Sequence, residues 1–249
     1  MKRYNDYDVF AWLYNRELGW YSSIIFPFLK IIAGDNLPDG ARILDLCCGT
    51  GHLAKILCEN DYHVTGIDGS AKMLQYARRN APAAKFFLGD ARSFKLSAEF
   101  DAVFSTFDSL NHVMTLTELE RVFKNVYTCL NKGGIFIFDM NMQEHFETRM
   151  KEGINSIFEK PKYLYIMRTE YDEERKLGKY TVTIFQSEDK FWKRSDIVLY
   201  QTWYPLENIV FSLGKTGFTA IKTHAFTHQR ELQEVNENSD RVFFYGQKP

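Results

Sequence analysis

Residues 43–54 read Ile43-Leu44-Asp45-Leu46-Cys47-Cys48-Gly49-Thr50-Gly51-His52-Leu53-Ala54. A short apolar run ends in an acid, a glycine-rich turn follows, and the pattern then becomes helical. A strand, a glycine loop and a helix bring exposed backbone N–H groups and a helix dipole to one point. Such a point suits a nucleotide-like ligand and predicts an α/β fold.

Working outward, strand and helix patterns alternate, the signature of a parallel sheet wrapped by helices. Arg42–Leu46 reads as a strand and His52–Glu59 as the helix after it. His63–Ile67 is a second strand closing on Asp68, and Ser70 is a suitable N-cap for a helix over Ala71–Asn80. Lys85–Leu88 is a third strand ending at Gly89-Asp90, and Asp101–Ser105 a fourth, followed by a polar loop through Asn111. Thr117 caps a helix over Glu118–Leu130, and Lys132-Gly133-Gly134 stops it. Ile135–Asp139 is the fifth strand. Asp68, Asp90 and Asp139 thus sit at strand C-terminal ends, the edge where open α/β sheets bind ligands.

Residues 154–204 break this rhythm. Tyr163–Tyr171, Thr181–Gln186 and Phe191–Tyr204 carry strand patterns, and Glu173–Gly178 reads as a turn, so an antiparallel meander is expected here. The chain then divides into a main domain, 1–153 with 205–249, and an inserted β-sheet lid, 154–204. A helix over Pro205–Gly214 and strands over Phe218–Ala225 and Arg241–Tyr245 complete the main domain. Residues 1–34 read as two amphipathic helices, with Tyr7, Phe10, Ala11 and Tyr14 on one face.

A chain of 249 residues with 45% apolar content fits one large α/β domain or a domain with an insertion. The formal net charge of −1 provides no global field for phosphate backbones or anionic membranes. Cys47, Cys48, Cys58 and Cys129 form no Cys-x-x-Cys pair, which fits a reduced cytoplasmic protein. The N-terminus has no apolar signal-peptide core, and the run Ile24–Ile32 is too short to span a bilayer. Aromatic residues make up 16% of the chain and concentrate in its first thirty residues and after residue 155, where a substrate pocket is expected.

Gly49-x-Gly51-x-x-Ala54 satisfies a loose dinucleotide pattern, with Asp68 where a ribose-binding acid belongs. That makes a nicotinamide-dependent oxidoreductase one reading. Two features favour another: Asp45 closes the strand, and Cys47-Cys48 separate it from the glycines.

Asp45-Leu46-Cys47-Cys48-Gly49-Thr50-Gly51 resembles motif I of class I S-adenosylmethionine-dependent methyltransferases, with Cys47 where glycine is commoner. Gly66-Ile67-Asp68-Gly69-Ser70-Ala71-Lys72-Met73-Leu74 resembles the second motif, Gly89-Asp90-Ala91 the third and Phe100–Ser105 the fourth. Leu130–Gly134 resembles the approach to the fifth strand, and Val242–Gly246 the last, antiparallel one. Tyr7-Asp8-x-Phe10-Ala11-x-x-Tyr14, Asp108-Ser109-Leu110-Asn111 and Phe138-Asp139-x-Asn141 resemble a bacterial small-molecule subgroup with a β-rich lid. The resemblance implies a Rossmann-like, mostly parallel seven-stranded sheet with an antiparallel C-terminal strand and an inserted antiparallel lid.

It also implies S-adenosyl-L-methionine as methyl donor and a cofactor site on Tyr14, Asp45, Cys47, Gly49, Thr50, Gly51, Asp68, Gly69, Met73, Asp90, Ala91 and Ser105. The chemistry of these residue types agrees. Glycines at 49 and 51 admit close backbone approach, and the Asp68 carboxylate accepts from two ribose hydroxyls. Met73 suits an adenine face, and Asp90 with the Ala91 backbone suits its edge. Tyr14, Asp108, Asn111 and His112 are the catalytic candidates, with Asp139 and Asn141 nearby. Trp203, Tyr204, Arg168 and Glu170 of the lid are candidates for lining the acceptor site. A base is needed only where the acceptor arrives protonated.

No Asn/Asp-Pro-Pro-Tyr motif, Pro-Cys nucleophile or basic stripe points to a nucleic-acid acceptor, and no His/Cys spacing suggests a metal. The expected partner is a small-molecule methyl acceptor, with neither nucleic acid nor membrane, in a monomer or homodimer. A cofactor-binding partner protein without turnover is the non-enzymatic alternative.

Overall fold

The computed structural model describes residues 5–153, 156–227 and 229–249. Met1–Tyr4 of the expected signal-free terminus, positions 154 and 155 of the expected lid, and His228 lie outside the described residues.

Two helices open the fold, α1 (Asn5–Glu17) and α2 (Trp20–Ala33). The alternating segment follows as β1 (Arg42–Leu46), α3 (His52–Glu59), β2 (His63–Asp68), α4 (Ala71–Asn80), β3 (Lys85–Leu88), β4 (Phe100–Ser105), α5 (Leu116–Cys129) and β5 (Leu130–Asn141). A π-helical turn, His145–Met150, leads into four strands: β6 (Ser156–Lys160), β7 (Tyr163–Asp172), β8 (Leu177–Glu188) and β9 (Phe191–Thr202). The chain ends with α6 (Leu206–Thr216), β10 (Thr219–Phe226), β11 (Leu232–Gln233) and β12 (Arg241–Gln247).

The large sheet runs β11-β10-β12-β5-β4-β1-β2-β3. Its β1, β2, β3, β4 and β5 pair in parallel, while β12 is antiparallel to both β5 and β10. The chain moves one way from β1 through β2 to β3 and the other way from β4 to β5. The crevice beyond the C-terminal ends of β1 and β4 is therefore the topological switch point. Alternating side chains divide the core. Phe136, Phe138 and Phe244 pack under α5 and α6, whereas Ile137, Phe104 and Phe243 pack under α2, α3 and α4.

A third core joins the two sheets. Phe10, Ala11 and Leu13 of α1 meet Met73 of α4 on one side and Tyr163, Tyr165, Val182 and Ile197 of the small sheet on the other. The N-terminal helix is thus the bed on which the β6–β9 sheet rests.

Several local expectations change. The large sheet has an eighth strand, β11, only two residues long and without a readable pattern. Helix α5 is capped by Thr115, which accepts from the Glu118 N–H at 3.2 Å, rather than by Thr117. The helix ends at Cys129, and Gly133, at φ +79°, turns the chain at the start of β5 instead of stopping the helix. The small sheet gains β6, which the sequence pattern did not reveal. Gly178 belongs to β8 and not to a turn, pairing with Tyr171 and Gln201, and it is glycine because a Cβ there would fall 2.6 Å from Met150 Sδ on the π-helical turn.

Candidate active site

The glycine loop begins where β1 ends. Cys47, Gly49 and Gly51 all take positive φ, at 62°, 52° and 75°. A Cβ at 51 would meet Ala77 Cα at 2.9 Å and one at 49 the Tyr14 ring at 3.3 Å, so both glycines are required by close approach. Cys47 holds a conformation that costs a residue with a Cβ, and its N-terminal position in the loop is where glycine is commoner in the family pattern. Burial and the nearby Asp68 push its thiol up, so it is no thiolate nucleophile.

The loop, Tyr14 and Phe107 line a narrow cleft with Asp45 and Thr50. Asp45 is 2% exposed, and its Oδ2 has no hydrogen-bond partner among the described residues. Burial, with the charge of Asp68 adding, pushes this carboxyl up to about 7. An unpaired buried carboxylate is costly, and a cationic ligand group would relieve it. The amino group of a methionine moiety has that chemistry, so Asp45 fits the methionine end of S-adenosylmethionine.

Asp68 stands across the loop at the end of β2. Its two oxygens accept from the Gly49 and Ser70 N–H groups, both at 2.8 Å. Burial raises its carboxyl to about 6, with these two bonds pulling the other way. Gly69 links Asp68 to Ser70, whose hydroxyl caps α4 at the Met73 N–H and donates to Asp8 of α1 at 2.6 Å. Thr50 is buried, with Oγ1 2.9 Å from His52 Nδ1.

Other cofactor candidates are placed differently. Met73 lies buried in the core between α1, α4 and the small sheet. Asp90 is engaged by Arg92, through its backbone N–H at 2.9 Å and through its guanidinium. Ala91 follows it, with its carbonyl accepting from Asn125. Ser105 is buried at the end of β4.

The loop after β4 carries the catalytic candidates. Phe107 and Asp108 both lie in the left-handed region, at φ 62° and 49°. Two such residues cost on the order of 1–3 kcal/mol each unless their surroundings hold them. The Phe107 ring stacks on Tyr21 of α2 at 4.3 Å. The Asp108 N–H donates to Asp139 Oδ2 at 3.2 Å, and its carboxylate receives Arg241 Nη2 at 2.6 Å and the Gln201 amide. Arg241 also binds Asp139 and lies over the Tyr21 ring at 5.2 Å. Burial alone would raise the Asp108 carboxyl, but the Arg241 charge and hydrogen bond more than offset it, leaving it below the usual range.

Asn111 is fully occupied by backbone. It donates to the Asn141 and Thr202 carbonyls at 2.9 and 2.8 Å and accepts from the Asn141 N–H at 2.9 Å. That straps the loop to β5 and β9. His112 lies next to it, with Nδ1 2.6 Å from the Tyr200 carbonyl and Nε2 2.7 Å from the Tyr7 hydroxyl. Since a carbonyl only accepts, Nδ1 carries the proton and Nε2 presents its lone pair to Tyr7. Burial lowers the His112 pKa, with Asp108 and the Tyr200 carbonyl opposing.

The structure also gathers residues that sequence reading did not single out for the site: Tyr21, Phe107, His145, Tyr180, Gln201 and Arg241. His145 lies 3.0 Å from the Tyr180 hydroxyl, and burial pushes it down to about 4. Of the lid candidates, Arg168 instead donates to Thr183 within its own sheet, and Trp203 donates to Tyr171. Glu170 pairs with Lys179, and Tyr204 donates to the Val113 carbonyl. Among the described residues no group of acids, histidines and cysteines could hold a metal ion.

Residues 43–134 match a family model described as a methyltransferase domain. A Bacillus subtilis (strain 168) protein named "Putative methyltransferase YqeM" is 30% identical over 220 residues, covering 86% of each chain. A dTDP-3-amino-3,4,6-trideoxy-alpha-D-glucopyranose N,N-dimethyltransferase of Streptomyces venezuelae is 31% identical over 102 residues, 41% of this chain and 43% of that protein. The fold superposes on the crystal structure of an S-adenosylmethionine-dependent methyltransferase from Clostridium acetobutylicum ATCC 824. The TM-score is 0.79 at 22% identity, with 97% of this chain and 98% of that one covered. These similarities favour the methyltransferase over the oxidoreductase that the glycine pattern left open. The chain belongs to the class I S-adenosylmethionine-dependent methyltransferases, an enzyme whose methyl donor is S-adenosyl-L-methionine.

Proposed function

We propose that the protein methylates a small molecule bearing a proton on its nucleophilic atom, beneath the β6–β9 sheet acting as a lid, with His112 as general base. The observation that carries this reading is the 2.6 Å approach of His112 Nδ1 to the Tyr200 carbonyl, which assigns the proton to Nδ1 and turns the Nε2 lone pair to the Tyr7 hydroxyl and the Gln201 amide. The partial match to an amino-sugar N,N-dimethyltransferase supports a small-molecule acceptor, and the chain's net charge of −1 does not favour nucleic acid. The described free thiols fit a cytoplasmic setting.

On this reading Asp45 receives the amino group of the donor's methionine end. Cys47, Gly49, Thr50 and Gly51 give close backbone approach, and Ser105 closes the floor of the cleft. Asp68 and Gly69 take the ribose, while Asp90 and Ala91 form the adenine end and Met73 packs in the core behind α4 instead of reaching the ligand. When bound, S-adenosyl-L-methionine supplies a methyl group made electrophilic by its sulfonium. The residues then align and dry the site, where proximity carries much of the rate. Tyr14 closes over the glycine loop. His112 takes the acceptor's proton at Nε2 once the acceptor displaces the Tyr7 hydroxyl and the Gln201 amide from that lone pair, and the resulting imidazolium is stabilised by the Tyr200 carbonyl at Nδ1. Asp108 and Asn111 act by holding this loop.

The test is a screen of primary and secondary amines and hydroxyl compounds with radiolabelled donor, followed by kinetics of His112→Ala. Loss of a general base predicts a kcat about 10²–10⁴-fold lower, with affinity for S-adenosylhomocysteine unchanged. Full turnover in His112→Ala would remove the base from the account.

A further inference from the structure

Arg241 is the first residue of β12, opposite Asn141 at the end of β5, and far in sequence from every motif of the donor site. Its guanidinium nevertheless joins three separate elements beside the cleft. It reaches Asp108 on the loop after β4 at 2.6 Å, Asp139 on β5, and the Tyr21 hydroxyl of α2 at 3.1 Å. Tyr21 in turn donates to Asp139 at 3.1 Å and stacks on Phe107. Buried ion pairs are weak sources of net stability, since apolar replacements of similar volume often serve as well. What a planar fork supplies is geometry: two carboxylates from different elements set at fixed distance and angle.

That geometry extends to the base. The Asp108 oxygen not bonded to Arg241 accepts from Gln201 Nε2. The same Gln201 nitrogen lies 3.2 Å from His112 Nε2, and its Oε1 accepts from Asn141. The amide orientation is determined, because a carboxylate can face only the amide's donor side. Gln201 therefore donates toward His112 Nε2, alongside the Tyr7 hydroxyl. A donor aimed at that nitrogen stabilises the neutral ring and no other tautomer.

We propose that Arg241 is a positioning residue: by holding Asp108 in its left-handed turn it fixes Gln201, and through Gln201 it keeps Nε2 of His112 unprotonated beside the donor cleft. The inference rests on the reading of His112 as the base, but its test does not need turnover.

The groups facing His112 are Tyr7 from α1, Asp108 from its own loop, and the Tyr200 carbonyl and Gln201 from β9. Releasing Arg241 frees the Asp108 charge from its cation and removes the anchor of the Gln201 donor. Both changes favour the imidazolium, so the His112 titration moves to higher pH.

NMR of ring-labelled histidine in the full chain with S-adenosylhomocysteine reads this directly, with the His112 signal assigned by its loss in His112→Gln. Arg241→Gln is expected to raise the His112 midpoint by about one unit, a ten-fold change in the proton equilibrium. Gln201→Ala is expected to raise it by about half as much. An unmoved midpoint in folded Arg241→Gln would overturn the proposal. Should that variant fail to fold, Arg241→Lys decides. It keeps the charge and loses the fork, and either raises the midpoint by several tenths or, if the midpoint is unmoved, refutes the positioning role. Full turnover in His112→Ala would instead refute the base while leaving these titrations interpretable.

Discussion

Asp45 concentrates the electrostatics of the glycine-loop cleft in one carboxyl. Burial, with the charge of Asp68 adding, displaces it to about 7, and among the described residues its Oδ2 has no hydrogen-bond partner. On the proposed placement of the methionine amino group, the ionised form binds the ligand. Affinity for S-adenosylhomocysteine should therefore be full above pH 7 and fall as pH drops through 7, where Asp45 becomes protonated. Asp45→Asn should bind more weakly at pH 8 and lose most of this dependence. Calorimetry at pH 6 and pH 8 checks both, and a wild-type affinity flat across that interval would refute the assignment. Asp45 and Asp68 were legible in the sequence because each closes a strand within a few residues of a glycine turn. Gln201 and Arg241 were not: one comes from the last strand of the small sheet and the other from the last strand of the large one. Only the tertiary fold brings them to Asp108 and His112.

At the scale of elements, local chemistry was read well where capping and periodicity agree, as for Ser70 and α4. It was misread at α5, where two threonines compete. Thr115 has the extended backbone of an N-cap and accepts from the Glu118 N–H, so Thr117 falls inside the helix. Thr115→Ala should then destabilise the fold by about 1 kcal/mol, and Thr117→Ala should be neutral or stabilising by a few tenths, since Ala is the better helix former. Chemical denaturation of both variants checks this, and the reverse order would return the cap to Thr117. Gly178 shows a different limit. Its identity suggested a turn, whereas it serves a strand against which Met150 and Phe146 press. The partner that requires glycine lies on another element, beyond the reach of sequence pattern.

Across the whole molecule, strand order converts scattered acids into one edge. The order β3-β2-β1-β4-β5 brings Asp68, Asp45, Asp108 and Asp139 to the rim at the switch point. Helix α1 crosses that rim with Tyr7 and Tyr14, and the β6–β9 sheet rests on its other side. Parallel alternation made the main sheet readable from β1 onward, because each strand and helix carries its own period. The seating of the small sheet on α1 was not readable, since it depends on apolar faces separated by the length of the sheet. The central claim remains that the glycine loop and Asp68 form the donor site. Calorimetric titration with S-adenosylhomocysteine at pH 8 tests it most directly. Wild type should bind in the micromolar range or tighter, and Asp68→Ala about 30-fold more weakly, as expected for losing a charged hydrogen-bond acceptor. Equal affinity in the two proteins, or no binding to wild type, would contradict it.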